Sequence, residues 1–286
     1  IGVVDGSDTT VYRDVFDHLS MAPVDQISSA SGEKSFRIAA DDGRIQGKVT
    51  YQYDPSGTDC EFIIANYEFY NLCDTPLTIL TGLYGDFDII NSGTNYAGYD
   101  AANDMVYMYD QSDSRACAFA LLSGTPRNLR AVNNPTYVWN DGFSDGTAYF
   151  LMSRTNNLSG TSADDWSMLL TFGQSTLAQG DTVRYTVALM YANNGSAGLP
   201  AILDKARATQ GCCQGTVGNV DCDPADLTDV ADLTQLINHL FIDFAPLCCP
   251  EEANINGDPN GTVDMADLTK LIDHLFLSFT PLGACQ

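Results

Sequence analysis

The sequence predicts a mainly β protein, an antiparallel β-sandwich over residues 1–210 followed by a small helical domain over residues 211–286. From about Lys34 to Ala192, short alternating stretches are separated by Gly, Asn, Asp and Pro clusters, as in antiparallel sheets with one buried face. An apolar share of 44% in 286 residues is ample for a packed core. Beyond Gly211 the apolar period changes from two residues to that of a helix, and the helical pattern occurs twice.

Taken in order, Ile45, Gly47, Val49, Tyr51 and Tyr53 share one strand face, opposite Arg44, Gln46, Lys48, Thr50 and Gln52. The run from Cys60 to Phe69 reads as a strand buried on both sides, and Val183, Val187, Leu189 and Tyr191 repeat the two-residue period. About ten such strands point to a sandwich. Leu199 to Thr209 reads as a short helix closing it, with the domain boundary near Gly211.

The second domain is an internal repeat. Asn219–Phe241 laid over Asn254–Phe276, at an offset of 35 residues, is identical at 13 of 23 positions. Leu233, Leu236, Ile237, Leu240 and Phe241 match Leu268, Leu271, Ile272, Leu275 and Phe276 at the spacing of one buried helical stripe. Phe-Ala-Pro-Leu and Phe-Thr-Pro-Leu then end the helices, since proline cannot continue them.

Thirteen Lys and Arg against 37 Asp and Glu give a formal charge of −24, which repels nucleic acid and anionic membrane surfaces and favours cations. No stretch is apolar for long enough to span a bilayer, and Ile1 is expected to follow a removed signal or to start an excised segment. Nine cysteines without CxxC spacing, and only three histidines, favour disulfides over zinc and an oxidising, extracytoplasmic compartment. An odd count leaves at least one thiol outside an intramolecular pair.

Each repeat begins with a twelve-residue acidic loop. A hard cation such as calcium takes six to eight oxygens, offered at loop positions 1, 3, 5, 7, 9 and 12 around a turn at position 6. The second loop supplies Asn256, Asp258, Asn260, the Thr262 carbonyl, Asp264 and Asp267, with Gly261 at the turn. The first supplies Asp221, Asp223, the Leu227 carbonyl, Asp229 and Asp232, but Ala225 at position 5 has no side-chain oxygen and Asp226 replaces the turn glycine. The first loop is therefore expected to bind more weakly.

Two loops with Asp at position 12, each followed by Leu-Thr-x-Leu-Ile-x-His-Leu-Phe, resemble a type I dockerin over the last quarter of the chain. The resemblance implies a module that folds on calcium and docks to a cohesin-like protein through loop positions 10 and 11, here Val230, Ala231, Met265 and Ala266. Those residues shift the expected partner toward something less polar, including another copy of this chain. A clasp from Cys285 to Cys212 or Cys213, with Cys222 joined to Cys248 or Cys249, is one reading of the cysteines.

In the sandwich no complete catalytic set is visible. Gly142-Phe143-Ser144-Asp145-Gly146 has the form of a nucleophile elbow, but Thr147 to Ser153 reads as a strand, so a hairpin turn is expected. Asp86 and Asp88 share one side of a strand, with Asp100, Asp104, Asp110 and Asp113 following; solvated turns are the first reading, another calcium or glycosidase-type chemistry the others. Trp139, Trp166 and the tyrosines read as core rather than as a sugar platform. Sequons at Asn157, Asn194 and Asn260 suit a secreted protein.

The expectation is thus a secreted or cell-surface, non-enzymatic structural protein that assembles through calcium-dependent docking into filaments or a lattice. Its alternatives are a carbohydrate-binding or catalytic subunit on a cohesin scaffold, with polysaccharide as ligand, and a fragment of a larger secreted hydrolase.

Overall fold

The computed structural model describes the chain except residues 6–7, 12–13, 16–17, 20–24, 58, 141–142, 211–212, 214–215, 224–226, 245, 259 and 284–286. Ala225, Asp226, Gly142, Gly211, Cys212 and Cys285, named above, lie outside the described residues. The chain divides into two compact units, Ile1–Ala206 and Arg207–Gln286.

The first unit is mainly β, with antiparallel sheets. Its strands are β1 Gly2–Asp5, β2 Asp8–Val11, β3 Asp14–Val15, β4 His18–Leu19, β5 Asp25–Ala30, β6 Glu33–Ala39, β7 Ile45–Gln52 and β8 Phe62–Asn71. They continue as β9 Leu77–Gly85, β10 Asn95–Asp100, β11 Met105–Asp110, β12 Ala116–Leu121, β13 Asn128–Asn133, β14 Gly160–Asp164, β15 Trp166–Leu177 and β16 Thr182–Ala192. Five form one sheet in the order β13-β15-β9-β1-β2, and nine form another in the order β14-β10-β11-β12-β16-β8-β7-β6-β5.

The period-two pattern explains the layering. Ile45, Phe69, Val106, Met108 and Val187 of the larger sheet meet Ile79, Leu129, Ala131, Met168, Leu170 and Phe172 of the smaller one in a single buried cluster. The opposite face of the larger sheet carries Ala116, Ala118, Ala120, Ala188 and Ala192, small residues that leave room for a helix to approach. In chain order the helices are α1 Asn134–Tyr137, α2 Asp145–Ser153 and α3 Leu199–Thr209, and it is α3 that buries Leu199, Ile202, Leu203 and Ala206 on this alanine face. The outer face of the smaller sheet, through Leu80, Val132 and Leu169, is covered by Ala148, Leu151 and Met152 of α2. The sequence expectation for β8 needs one adjustment: Cys60 and Ile63 are exposed, so that run is not buried on both sides.

The strand expected over Thr147–Ser153 is a helix, α2. Ser144 accepts a hydrogen bond from the Thr147 backbone N–H at 3.2 Å and so starts the helix, whose apolar residues find a sheet face to cover. Tertiary burial outweighed the β-leaning composition of this segment.

The second unit contains α4 Val230–Ile237, α5 Pro250–Ala253 and α6 Met265–Ile272. Leu236, Leu268 and Leu271 are buried together with Val217, Val220, Ala253 and Ile255, and Leu233, Ile237, Leu240, Ile272 and Leu275 pack around them. Phe241 and Phe276, expected in the same stripe, are both 52% exposed. Both helices widen into π turns, Asn238–Ile242 and Asp273–Leu277, which rotate the last residues off the buried face.

Candidate functional site

In the first unit the smaller sheet gathers three carboxylates. Asp86 and Asp88 lie just beyond the end of β9 rather than on one side of a strand, and Asp165 sits between β14 and β15. One oxygen from each lies within 4.8 Å of the others. They are brought together because Gly85 pairs with Met168 and Asn133 with Trp166, so β9 ends where β15 begins and β13 ends.

Asp165 is 5% exposed, whereas Asp86 and Asp88 reach the surface. The buried Asn134 side chain ties the cluster together. Its Nδ2 donates to Asp165 Oδ1 at 2.5 Å and to Asp86 Oδ2 at 3.2 Å, and its Oδ1 accepts from Ser167 Oγ at 2.6 Å and Tyr84 OH at 3.2 Å. Partial desolvation, then the charges of Asp165 and Asp88, push the Asp86 carboxyl above the usual carboxylate range, against the hydrogen bonds from Asn134 and Ser167. Desolvation also raises Asp165, opposed by its Asn134 bond. Burial raises the Tyr84 phenol well above its ordinary value, so it stays a neutral donor. Such a group can hold a proton at one carboxyl beside ionised neighbours, or hold a hard cation.

The other acidic candidates of the sandwich are used structurally. Asp110 is buried and accepts from the Ser112 N–H at 2.7 Å, Ser112 Oγ at 2.6 Å and Thr94 Oγ1 at 2.5 Å. Asp100 accepts from the Ala102 N–H, and Asp113 pairs with Arg115 at 2.8 Å. Asp104 closes a turn with positive φ, and its carbonyl accepts from the Leu121 N–H. Ser144 of the elbow-like motif is the cap of α2. Trp166 packs its ring on Gly160 and donates to the Ser162 carbonyl at 2.9 Å, but Trp139, expected in the core, is 62% exposed.

In the second unit the two loops share a set of hydrogen bonds. Asp232 Oδ1 accepts from the Asp221 N–H at 3.0 Å and Oδ2 from the Asp229 N–H at 2.7 Å; Asp267 accepts likewise from Asn256 at 2.9 Å and Asp264 at 2.8 Å. Asp229 and Asp264 cap α4 and α6 through the Ala231 and Ala266 N–H groups at 2.6 and 2.7 Å. The Asp223 and Asp258 N–H groups point to Asp221 and Asn256 at 3.1 and 2.7 Å. Asn260 and Thr262 N–H groups both donate to Asp258 Oδ1, at 2.8 and 3.3 Å.

Asp232 and Asp267 are both 0% exposed, and burial, with Asp221 nearby, raises the Asp232 carboxyl. Two enclosed carboxylates facing all-oxygen loops, each accepting from backbone N–H groups, fit a hard divalent cation. Asn256, Asp258, Asn260, Thr262, Asp264 and Asp267 would hold one ion, and Asp221, Asp223, Leu227, Asp229 and Asp232 a second. Val230 and Met265 stand 56% and 57% exposed beside the exposed Ala231 and Ala266.

A disulfide joins Cys222 to Cys248, with Cα atoms 6.4 Å apart. Cys222 sits at loop position 2 with φ 57°, where the second loop has Gly257 at φ 70°. Cys213 and Cys249 are also disulfide-bonded, while Cys60, Cys73 and Cys117 are free thiols. No helix among the described residues is long and apolar enough to cross a membrane.

No family model and no curated protein matches the chain. Among solved structures it is similar to a bacterial glucoamylase complexed with acarbose, at 11% identity and a TM-score of 0.50 over 72% of this chain. The match spans 28% of the glucoamylase, little more than a quarter of its length. More distant are a galactose mutarotase related enzyme from Lactobacillus acidophilus (8% identity, TM-score 0.37, 68% of this chain and 79% of that one) and a heparan sulfate lyase from Pedobacter heparinus (7%, 0.35, 62% and 23%).

These neighbours correct the sequence-based expectation of function. The expectation of a non-enzymatic structural protein building filaments or a lattice, with catalysis unexpected, is contradicted by the likeness of the fold to part of the bacterial glucoamylase. A period-two β pattern reports the fold and carries no information on the activity a fold hosts.

Proposed function

We propose that this protein is a carbohydrate-processing enzyme, or the sandwich part of one, in which the cluster of Asp86, Asp88 and Asp165 carries acid–base chemistry. The observation behind this reading is the convergence of three carboxyl oxygens within 4.8 Å, with Asp86 and Asp165 both pushed toward the neutral form. Carboxyl oxygens within 4.8 Å of one another lie nearer the short, retaining spacing of glycoside hydrolysis than the longer inverting one. Asp86 would give a proton to the leaving oxygen, Asp88 would face the reacting carbon, and buried Asp165 would hold the Asp86 proton in place. Exposed Trp139 would offer a sugar-stacking surface.

The second unit is proposed as a dockerin-like module that binds calcium at both loops and takes a cohesin-like protein partner at Val230, Ala231, Met265 and Ala266. When bound, calcium supplies the charge that the enclosed carboxylates Asp232 and Asp267 lack. The disulfides support an oxidising, extracellular setting.

The decisive experiment is hydrolysis of a panel of neutral oligosaccharides by the full chain and by Asp86→Asn. Turnover that falls about 10²- to 10⁴-fold in the variant is expected for loss of a general acid. Equal turnover in both, or none in either, removes the reading. A second reading, a cation at the same cluster, is favoured by three carboxylates crowded in a chain of charge −24. It predicts a calcium equivalent that disappears in Asp86→Asn while the loop sites remain.

A further inference from the structure

In so acidic a chain, several arginines have a carboxylate at hand: Arg37 has Asp25, Arg44 has Asp42, Arg115 has Asp113 and Arg184 has Glu68. Arg127, Arg130 and Arg154 have none within ion-pair range among the described residues, and all three gather around the end of α2. Arg127 donates to the Ser153 carbonyl from Nε and Nη2, at 3.1 and 2.9 Å, which is ordinary capping of a helix C-terminus. Arg130 is different. It lies on β13, the edge strand of the smaller sheet, on the same face as Asn128 and Val132, beneath the layer formed by α2.

Arg130 is 5% exposed. Nη1 donates to the Asn156 carbonyl at 2.8 Å and to Asn156 Oδ1 at 3.1 Å, but Nε is enclosed with no acceptor, and Nη2 has no partner among the described residues. A guanidinium stays charged in a protein, so burial here leaves a cation served by two neutral oxygens and one unmet donor. Desolvation pushes its pKa down and the nearby charge of Arg154 adds to this, against Tyr137. Capping of Asn156 accounts for Nη1 and for neither the charge nor Nε.

The surroundings suit a sugar ring. Arg154, exposed, lies over the Phe150 ring with its guanidinium carbon 3.8 Å from the centroid. Tyr137 stacks on Phe150 at 6.5 Å, and exposed Trp139 follows two residues later. Aromatic faces take the apolar side of a saccharide, while a guanidinium fork takes a planar carboxylate through two parallel hydrogen bonds. Arg130 also precedes Asn134 of the acidic cluster by four residues, roughly 13 Å of extended strand, so the cation and the acids lie along one sheet edge.

We infer that Arg130 and Arg154 form a binding site for the carboxylate of a uronic-acid-bearing saccharide, with Phe150, Tyr137 and Trp139 flanking the ring. The choice of a saccharide rests on the carbohydrate reading above; the oxyanion site itself rests on the arginines alone.

The test is calorimetric titration of the full chain with trigalacturonate, with maltotriose and sodium sulfate as comparison ligands, at low and moderate salt. Trigalacturonate is expected to bind, to weaken as salt rises, and to lose at least tenfold in affinity in Arg154→Ala, an exposed change that leaves the core intact. Arg130→Lys should weaken it too, since a point charge cannot form the fork. Absence of binding, or affinity unchanged in Arg154→Ala, overturns the inference, as does sulfate bound as tightly as trigalacturonate. Neutral-sugar turnover sensitive to Asp86→Asn, with no Arg154-dependent uronate binding, defeats this inference alone. Arg154-dependent uronate binding by a chain that processes no glycan defeats the enzymatic reading and leaves this site standing.

Discussion

Asp86 and Asp110 show how the same residue type is driven in opposite directions by what surrounds it. Asp110 is held below the usual range, first by Ser112 Oγ and then by Thr94 Oγ1 and the Ser112 N–H. Its contribution to stability is present above the unfolded carboxylate value and is lost as pH falls through the folded one. Asp86 is raised, so folding binds more protons there and stability declines as pH rises from the unfolded value of 3.8 through the folded one. In thermal melts between pH 4 and 8, Asp86→Asn should flatten that decline and leave the protein at pH 7.5 as stable as the wild type or more stable, by up to about 1 kcal/mol after solvent screening. A marked loss of stability at pH 7.5 would show that the Asp86 carboxylate has a stabilising partner. Asp110→Asn should instead cost about 1–3 kcal/mol at pH 7.5, since it leaves three donors without an ionised acceptor.

Among the elements, α2 offers the sharpest contrast between motif and role. Gly-x-Ser-x-Gly invites a nucleophile, but Ser144 Oγ is engaged at the helix start, with the Thr147 N–H at 3.2 Å and Thr147 Oγ1 at 3.1 Å. Ser144→Ala should therefore cost about 1 kcal/mol of stability, read by denaturant midpoint, and leave any glycan turnover unchanged. A large loss of turnover at unchanged stability would restore the nucleophile. The helices α4 and α6 depend on loop acids in a second way, because Asp229 and Asp264 cap them while Asp232 and Asp267 close the loops from inside. Asp267→Ala should remove one of two calcium equivalents in a titration, and Asp232→Ala the other, weaker one.

At the scale of the whole molecule, two compact units, only one of which carries the paired loops, predict two unfolding transitions in calorimetry. EDTA should lower one and leave the other in place, because a ligand that binds only one folded unit stabilises that unit. Removing the Cys222–Cys248 bond, which closes a separation of 26 residues, should lower the same transition, by an amount on the order of 3 kcal/mol. A single transition that shifts as a whole would show that the units unfold together. Much of this organisation was legible beforehand, because side-chain period is a local property. Alternation announced β7 and β16, Leu199–Thr209 read as a helix, and a repeat of 35 residues placed both loops and both helices of the second unit. Other features are decided only by tertiary contact. Asp165 meets Asp86 across 79 residues because two strands end at one place, Arg130 is buried because α2 covers its strand, and Phe241 is exposed because a π turn rotates it outward. Sequence alone determined which segments alternate, which coil and where acids crowd in a loop, since each follows from near neighbours along the chain. Only the folded chain decided which charges share a site and which lie unpaired, since Coulomb energy and desolvation depend on distances through space.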